Sequence, residues 1–240
     1  MGGPGDDSRT GPGAFMVWRR GTYGRGWASG LFGYGGRASI AVLALLCVTS
    51  AARAGDHDPL ILALGDSLTA GYGLQLEQAY PFRLAAYLAA RGITVRIDNA
   101  GVSGDTTAGG RERLDWALAD KPGYAIVELG ANDALRGLDP KEVEANLDAI
   151  LTALDQRGVK VLLAGMLAPP NLGRDYGNAF RAIYPGLAAK HHALLYSFFL
   201  DGVAGNESLL QEDGLHPTAA GVDIIVARIA PLVEELLREK

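Results

Sequence analysis

Cysteine is nearly absent from this chain of 240 residues, with Cys47 the only one. A single thiol excludes an internal disulfide and a cysteine-based zinc site. Histidine is scarce as well, with four in all, so any histidine-dependent chemistry can be traced by elimination. No apolar run reaches the roughly 18 residues that a membrane-spanning helix needs. Positive charge is not in excess: the net charge is −5, which argues against non-specific binding to nucleic acid. Disorder is excluded by the 48% of hydrophobic residues.

The charge is unevenly spread. Residues 1–54 hold six Arg and two acids, which leaves 16 bases and 25 acids, a net −9, for residues 55–240. The first 36 residues are rich in Gly, Arg and aromatics without periodicity, and Arg37 then precedes the apolar run Ala38 to Val48. That run leads into Ala52-Arg53-Ala54. A basic flank, a short apolar stretch and an Ala-x-Ala site make a secretory signal, with cleavage expected after Ala54. An uncleaved, membrane-anchored N-terminus is the alternative, and Met16 is a second candidate start. Leu46 stands before Cys47 where lipid attachment would need a small residue, so no lipid anchor is expected. The expected product, residues 55–240, is periplasmic or secreted, free of cysteine and without stable membrane insertion.

From Pro59 onward, short apolar runs alternate with longer amphipathic ones, the pattern of a parallel sheet covered by helices. Strands are expected at Leu60 to Leu64, Thr94 to Asp98, Tyr124 to Leu129, Val159 to Gly165 and Leu194 to Phe198. Helices are expected near Pro81 to Ala90, Thr107 to Ala119, Pro140 to Gln156, Asp175 to Lys190 and Pro217 to Arg238. Asp139-Pro140 caps one of them, and Gly92 and Gly158 stop two. Consecutive apolar residues such as Val161-Leu162-Leu163 suit strands buried on both faces. The expected fold is α/β: a single-domain, three-layer α/β/α sandwich around a five-stranded parallel sheet, flavodoxin-like in class. In such sheets the active crevice lies at the carboxyl ends of the strands. The loops from Gly65, Asn99, Gly130 and Met166, and the one after Phe198, are therefore expected to converge.

Elimination then selects one histidine. His57 is next to the expected new N-terminus, and Lys190-His191-His192 reads as solvated charge at the end of a helix. His216 lies in Asp213-Gly214-Leu215-His216-Pro217, on the loop leading into the last helix, with a carboxylate three residues upstream. Asp213 can fix the imidazole tautomer and stabilise an imidazolium, the third-member role in a nucleophile–base–acid triad. The same two residues can instead cap the final helix, with Pro217 at its first position. Ser67, in Leu64-Gly65-Asp66-Ser67-Leu68, follows a strand and is the candidate nucleophile, its own N–H a potential oxyanion donor. A helix N-cap is the plainer alternative for Ser67, and loop support for Asp66. Gly104 and Asn132 follow the next two strands, where a backbone N–H and a side-chain amide can donate to the same oxygen. Each of those loops can also be only a turn.

Gly65-Asp66-Ser67-Leu68, the Gly104 block, Gly130-Ala131-Asn132-Asp133 and Asp213-x-x-His216 resemble, in order, the four blocks of the GDSL or SGNH hydrolase family. The stretches 102–110, 127–133 and 182–185 are similar to its bacterial periplasmic branch of arylesterase, lysophospholipase and acyl-CoA thioesterase I. Ala131 and Ala134 depart from the glycines common in that branch. The resemblance implies Ser67, His216 and Asp213 as the triad and Ser67, Gly104 and Asn132 as the oxyanion hole. It also implies ester and thioester hydrolysis through an acyl-enzyme, with no metal or organic cofactor. Leu135, Leu138, Pro170 and Leu172 are candidate acyl-chain contacts, together with Met166, Leu167, Pro169 and Tyr176, or else a capping mini-core. Rival readings are a carbohydrate acetylesterase of the same fold, a metallophosphoesterase using Asp66, Asn132, Asp133, Asp213 and His216, and a non-catalytic lipid-binding protein. The expected partner is a small-molecule acyl ester or thioester, not nucleic acid, met by a monomer.

Overall fold

A computed structural model describes residues 58–239. The expected leader, its cleavage point after Ala54, and His57 lie outside them. The described chain runs β1 (Leu60–Gly65), α1 (Ser67–Ala70), α2 (Tyr80–Ala89), β2 (Arg96–Gly101), α3 (Thr107–Glu112), α4 (Leu114–Ala117) and β3 (Tyr124–Glu128). It continues through α5 (Ala131–Leu135), α6 (Pro140–Asp155), β4 (Lys160–Ala164), α7 (Arg174–Lys190), β5 (Leu194–Tyr196) and α8 (Ala219–Leu236).

The five strands form one parallel sheet in the order β2-β1-β3-β4-β5. Helices α2 and α8 pack together on one face, and α3, α6 and α7 on the other, giving the expected three layers. Central strands β1, β3 and β4 are buried at nearly every position, because both faces are covered. The core they build includes Leu62, Ile126 and Leu162 from the sheet, Leu84 and Ile225 from one layer, and Leu147 and Phe180 from the other.

Three of the boundaries that differ from expectation do so for a local reason. Strand β2 runs about three residues further toward its carboxyl end, since its backbone stays paired with β1 from Leu60↔Arg96 to Gly65↔Gly101. As an edge strand it is only partly covered, so Asp98 and Asn99 are tolerated within it. The helix expected over Thr107 to Ala119 breaks at Arg113 into α3 and α4. Helix α8 begins at Ala219 with Thr218 as its cap, the threonine side chain accepting from Gly221 N–H at 3.3 Å. Pro217 therefore precedes the cap instead of opening the helix. Among the described residues no helix is long and apolar enough to cross a membrane.

Candidate active site

The turn before α8 is built around one carboxylate. Asp213 Oδ1 accepts from the backbone N–H groups of Leu215 (2.9 Å) and His216 (3.0 Å), folding the loop back so that Oδ2 lies 2.6 Å from His216 Nδ1. Those backbone donors, then the imidazole, hold the Asp213 carboxyl down at about 2. Since Thr218 caps α8, Asp213 is not needed for that task. The other ring nitrogen, Nε2, lies 2.8 Å from Ser67 Oγ, across 149 residues of sequence. With Nδ1–H held by the carboxylate, Nε2 presents its lone pair to the serine hydroxyl. The Tyr72 ring lies against the imidazole with centroids 4.6 Å apart.

Ser67 is not a cap. Asp66 fills that position, its Oδ1 accepting from Leu68 N–H at 2.9 Å, and Ser67 opens α1 at the carboxyl end of β1. Asp66 is fully buried and its Oδ2 accepts from Asn132 Nδ2 at 2.9 Å. Behind it Glu128, also fully buried, accepts from Thr69 Oγ1 at 2.6 Å. Burial, opposed by the bonds from Leu68 and Asn132, pushes the Asp66 carboxyl up to about 6. Burial and then the neighbouring Asp66 charge push Glu128 well above the carboxylate range. Gly65 leaves room for this arrangement: a Cβ there would collide with Thr69 Oγ1 and the Glu128 carboxylate.

Gly104 has φ +83°, a conformation glycine adopts without strain, while space around it is open. The backbone conformation therefore favours glycine here, and the open space leaves its N–H accessible from the cleft. Arg136 Nη2 donates to Gly104 O at 2.8 Å and steadies the loop. Arg113, at the break between α3 and α4, donates to Gly65 O (2.9 Å) and Asp105 Oδ2 (2.7 Å), tying the Ser67 loop to the Gly104 loop. Ser67, Gly104 and Asn132 line one cleft. Asp133 does not join them, because its carboxylate is taken by the N–H (2.9 Å) and hydroxyl (2.6 Å) of Thr107. The ligand set of a metallophosphoesterase is therefore not assembled from these five residues.

A sequence model of the GDSL-like lipase/acylhydrolase family matches residues 63–224. The chain belongs to that family. Esterase TesA of Pseudomonas aeruginosa is 39% identical over 196 residues, 81% of this chain and 96% of TesA. Thioesterase 1/protease 1/lysophospholipase L1 of Escherichia coli K12 is 36% identical over 202 residues, 84% of this chain and 94% of the relative. Among solved structures, AlinE4, an SGNH-hydrolase family esterase, is 50% identical with a TM-score of 0.64, covering 75% of this chain and 97% of that one. This GDSL hydrolase is accordingly a carboxylic ester hydrolase with the SGNH fold.

The cleft of the GDSL hydrolase has a volume of about 580 Å³. Leu135 and Pro170 line it as expected, with Met166, Leu167 and Pro169. Leu138 and Leu172 do not. The Leu138 carbonyl accepts from Tyr176 Oη at 2.7 Å, which ties the loop after α5 to α7, and Leu172 lies near Gly137 of the same loop. Tyr176 itself stacks on buried Phe180. The candidate contacts thus divide between residues that line the cleft and residues outside its lining, of which Tyr176 packs against the core. Sequence reasoning missed Tyr72, Phe198, Leu200 and Leu215 on the cleft wall. Tyr72 lies five residues beyond Ser67 and Leu215 next to His216, so proximity to the motifs was the available signal. A larger hollow of about 760 Å³ borders edge strand β2 and holds none of the expected catalytic residues.

His191 is also not where it was expected. Its side chain is only 7% exposed and bridges α7 to α6, with Nδ1 2.6 Å from Asp155 and Nε2 2.7 Å from Asp148.

Proposed function

We propose that Ser67 is the nucleophile, His216 the general base and acid, and Asp213 the residue that orients the imidazole. The observation that carries this reading is the unbroken path Ser67 Oγ–His216 Nε2, His216 Nδ1–Asp213 Oδ2, at 2.8 and 2.6 Å. Ser67 Oγ attacks the acyl carbonyl carbon while Nε2 takes its proton. The resulting oxyanion is held by the N–H groups of Ser67 and Gly104 and the Asn132 amide. His216 then protonates the departing alkoxide, aryloxide or thiolate, leaving an acyl-serine. Water repeats the sequence and releases the carboxylic acid. None of these steps calls for a metal or organic cofactor.

The substrates are acyl esters and thioesters whose chain lies in the apolar cleft. Its lining by Leu135, Met166, Leu167 and Pro170 favours an aliphatic or aryl acyl group over the acetyl group of a sugar. A non-catalytic lipid-binding role is disfavoured by the intact proton path, which binding alone does not need. The names of the relatives, an esterase and a thioesterase/lysophospholipase, support both leaving-group classes. We place the active form, residues 55–240, in the periplasm or outside the cell as a monomer acting on small molecules and not on nucleic acid. Ser67→Ala is expected to abolish p-nitrophenyl ester hydrolysis and labelling by a fluorophosphonate while the thermal transition stays within a few degrees. Undiminished hydrolysis by that variant would refute the assignment.

A further inference from the structure

We propose that Asp66 is a positioning residue that locks the Asn132 side-chain amide in the orientation that donates to the oxyanion. This rests on the reading of Asn132 as an oxyanion donor and adds a residue to it. A primary amide has a donor end and an acceptor end of nearly the same shape, so packing alone selects poorly between them. An ionised carboxylate accepts only. Placed 2.9 Å from the Asn132 nitrogen, Asp66 Oδ2 binds one N–H and repels the amide oxygen. The second N–H of the same nitrogen is left for the cleft, which Asn132 lines beside Ser67 and Gly104.

The carboxylate is itself held at both oxygens. Leu68 N–H occupies its other oxygen at 2.9 Å, and complete burial keeps water from competing. Its charged and titratable neighbours are Glu128 at the end of β3, His216 before α8, and Asp105 after β2, the last held by Arg113. Glu128 faces Asp66 from within the core, where burial favours its neutral form and leaves Asp66 the charged member of the pair. That charge is the one the amide needs.

Asp66 also caps α1, so the test must separate the two duties. Asp66→Ser keeps a short acceptor for Leu68 N–H, serine being a good cap, but cannot reach Asn132. Asn132→Ala should lower kcat roughly 100- to 1000-fold, the usual effect of losing one oxyanion donor. Asp66→Ser should lower kcat on the order of 10- to 100-fold, with KM within about twofold, because an unlocked amide donates only part of the time. Added to Asn132→Ala, Asp66→Ser should cost less than about threefold more, since its effect passes through the missing amide. Asp66→Asn, which retains shape and one acceptor oxygen, should keep more activity than Asp66→Ser and serves as the second probe if the serine variant does not fold. Independent, multiplying losses, or wild-type kcat in Asp66→Ser, would overturn the positioning role while leaving the oxyanion reading intact. Wild-type kcat in Asn132→Ala would instead remove the oxyanion reading and this role with it.

Discussion

Among the described residues, two histidines engage both ring nitrogens, and they do opposite things with them. His191, in the seam between α6 and α7, sits between the carboxylates of Asp148 and Asp155. Burial pulls its pKa down, but hydrogen bonds to the two carboxylates outweigh that and raise it. When protonated it is a clamp that donates to both carboxylates. His216, in the cleft, has one carboxylate and one hydroxyl. The second carboxylate makes the difference: with an acid on each side the ring is favoured in the form that donates twice. With a hydroxyl on one side it has a lone pair to offer a group that must lose a proton.

The contrast is broken most directly by removing each ring. His216→Gln is expected to lower kcat on p-nitrophenyl esters at least about 10⁴-fold, as loss of a triad base does, while His191→Gln stays within about twofold of the wild type. Equal losses would mean that His216 does no chemistry beyond holding structure. The same division between cleft and scaffold runs through the apolar residues. Leu135→Asp should reduce kcat/KM for a long-chain ester on the order of tenfold more than for an acetyl ester, because chain burial contributes about 0.8 kcal/mol per methylene. Leu138→Asp, outside the cleft lining, should affect both esters alike; a chain-length panel reads the ratio.

The smallest effect lies in stability and its sign follows from the clamp. His191 has its pKa raised in the folded state relative to the roughly 6.5 of an unfolded chain. Its contribution is therefore full below that value and disappears as pH rises through the folded value. His191→Gln should cost about 1–2 kcal/mol at pH 5.5 and progressively less toward pH 9, measured by urea unfolding. A penalty that grows with pH would contradict the charged-clamp assignment.

The central strands and the four motif blocks were legible in the sequence because each is local: an apolar run for β1, β3 and β4, and a short string for each loop. What escaped notice depends on residues far apart. His191 looked solvated because its carboxylates lie 36 and 43 residues away on another helix. The break at Arg113 follows no local signal, as α3 ends where its guanidinium reaches Asp105 and Gly65. Asp66 was read as loop support, which it is, but its grip on Asn132 spans 66 residues and is invisible to periodicity. Leu138 and Leu172 had the right polarity and the right loops. Only the folded chain could say that they stay out of the cleft lining.

Gly65 carries a consequence for how its motif is understood. Its backbone is not in the left-handed region, so the glycine that opens Gly-Asp-Ser-Leu does not make a turn. It is a vacancy in the side-chain layer, one methyl group wide, into which the Thr69 hydroxyl and the Glu128 carboxyl fit. Motif and buried acid are one unit. A side chain at position 65 would press on the Thr69 hydroxyl, the Glu128 carboxyl and the β3 backbone at once, so no single substitution elsewhere would make room for it.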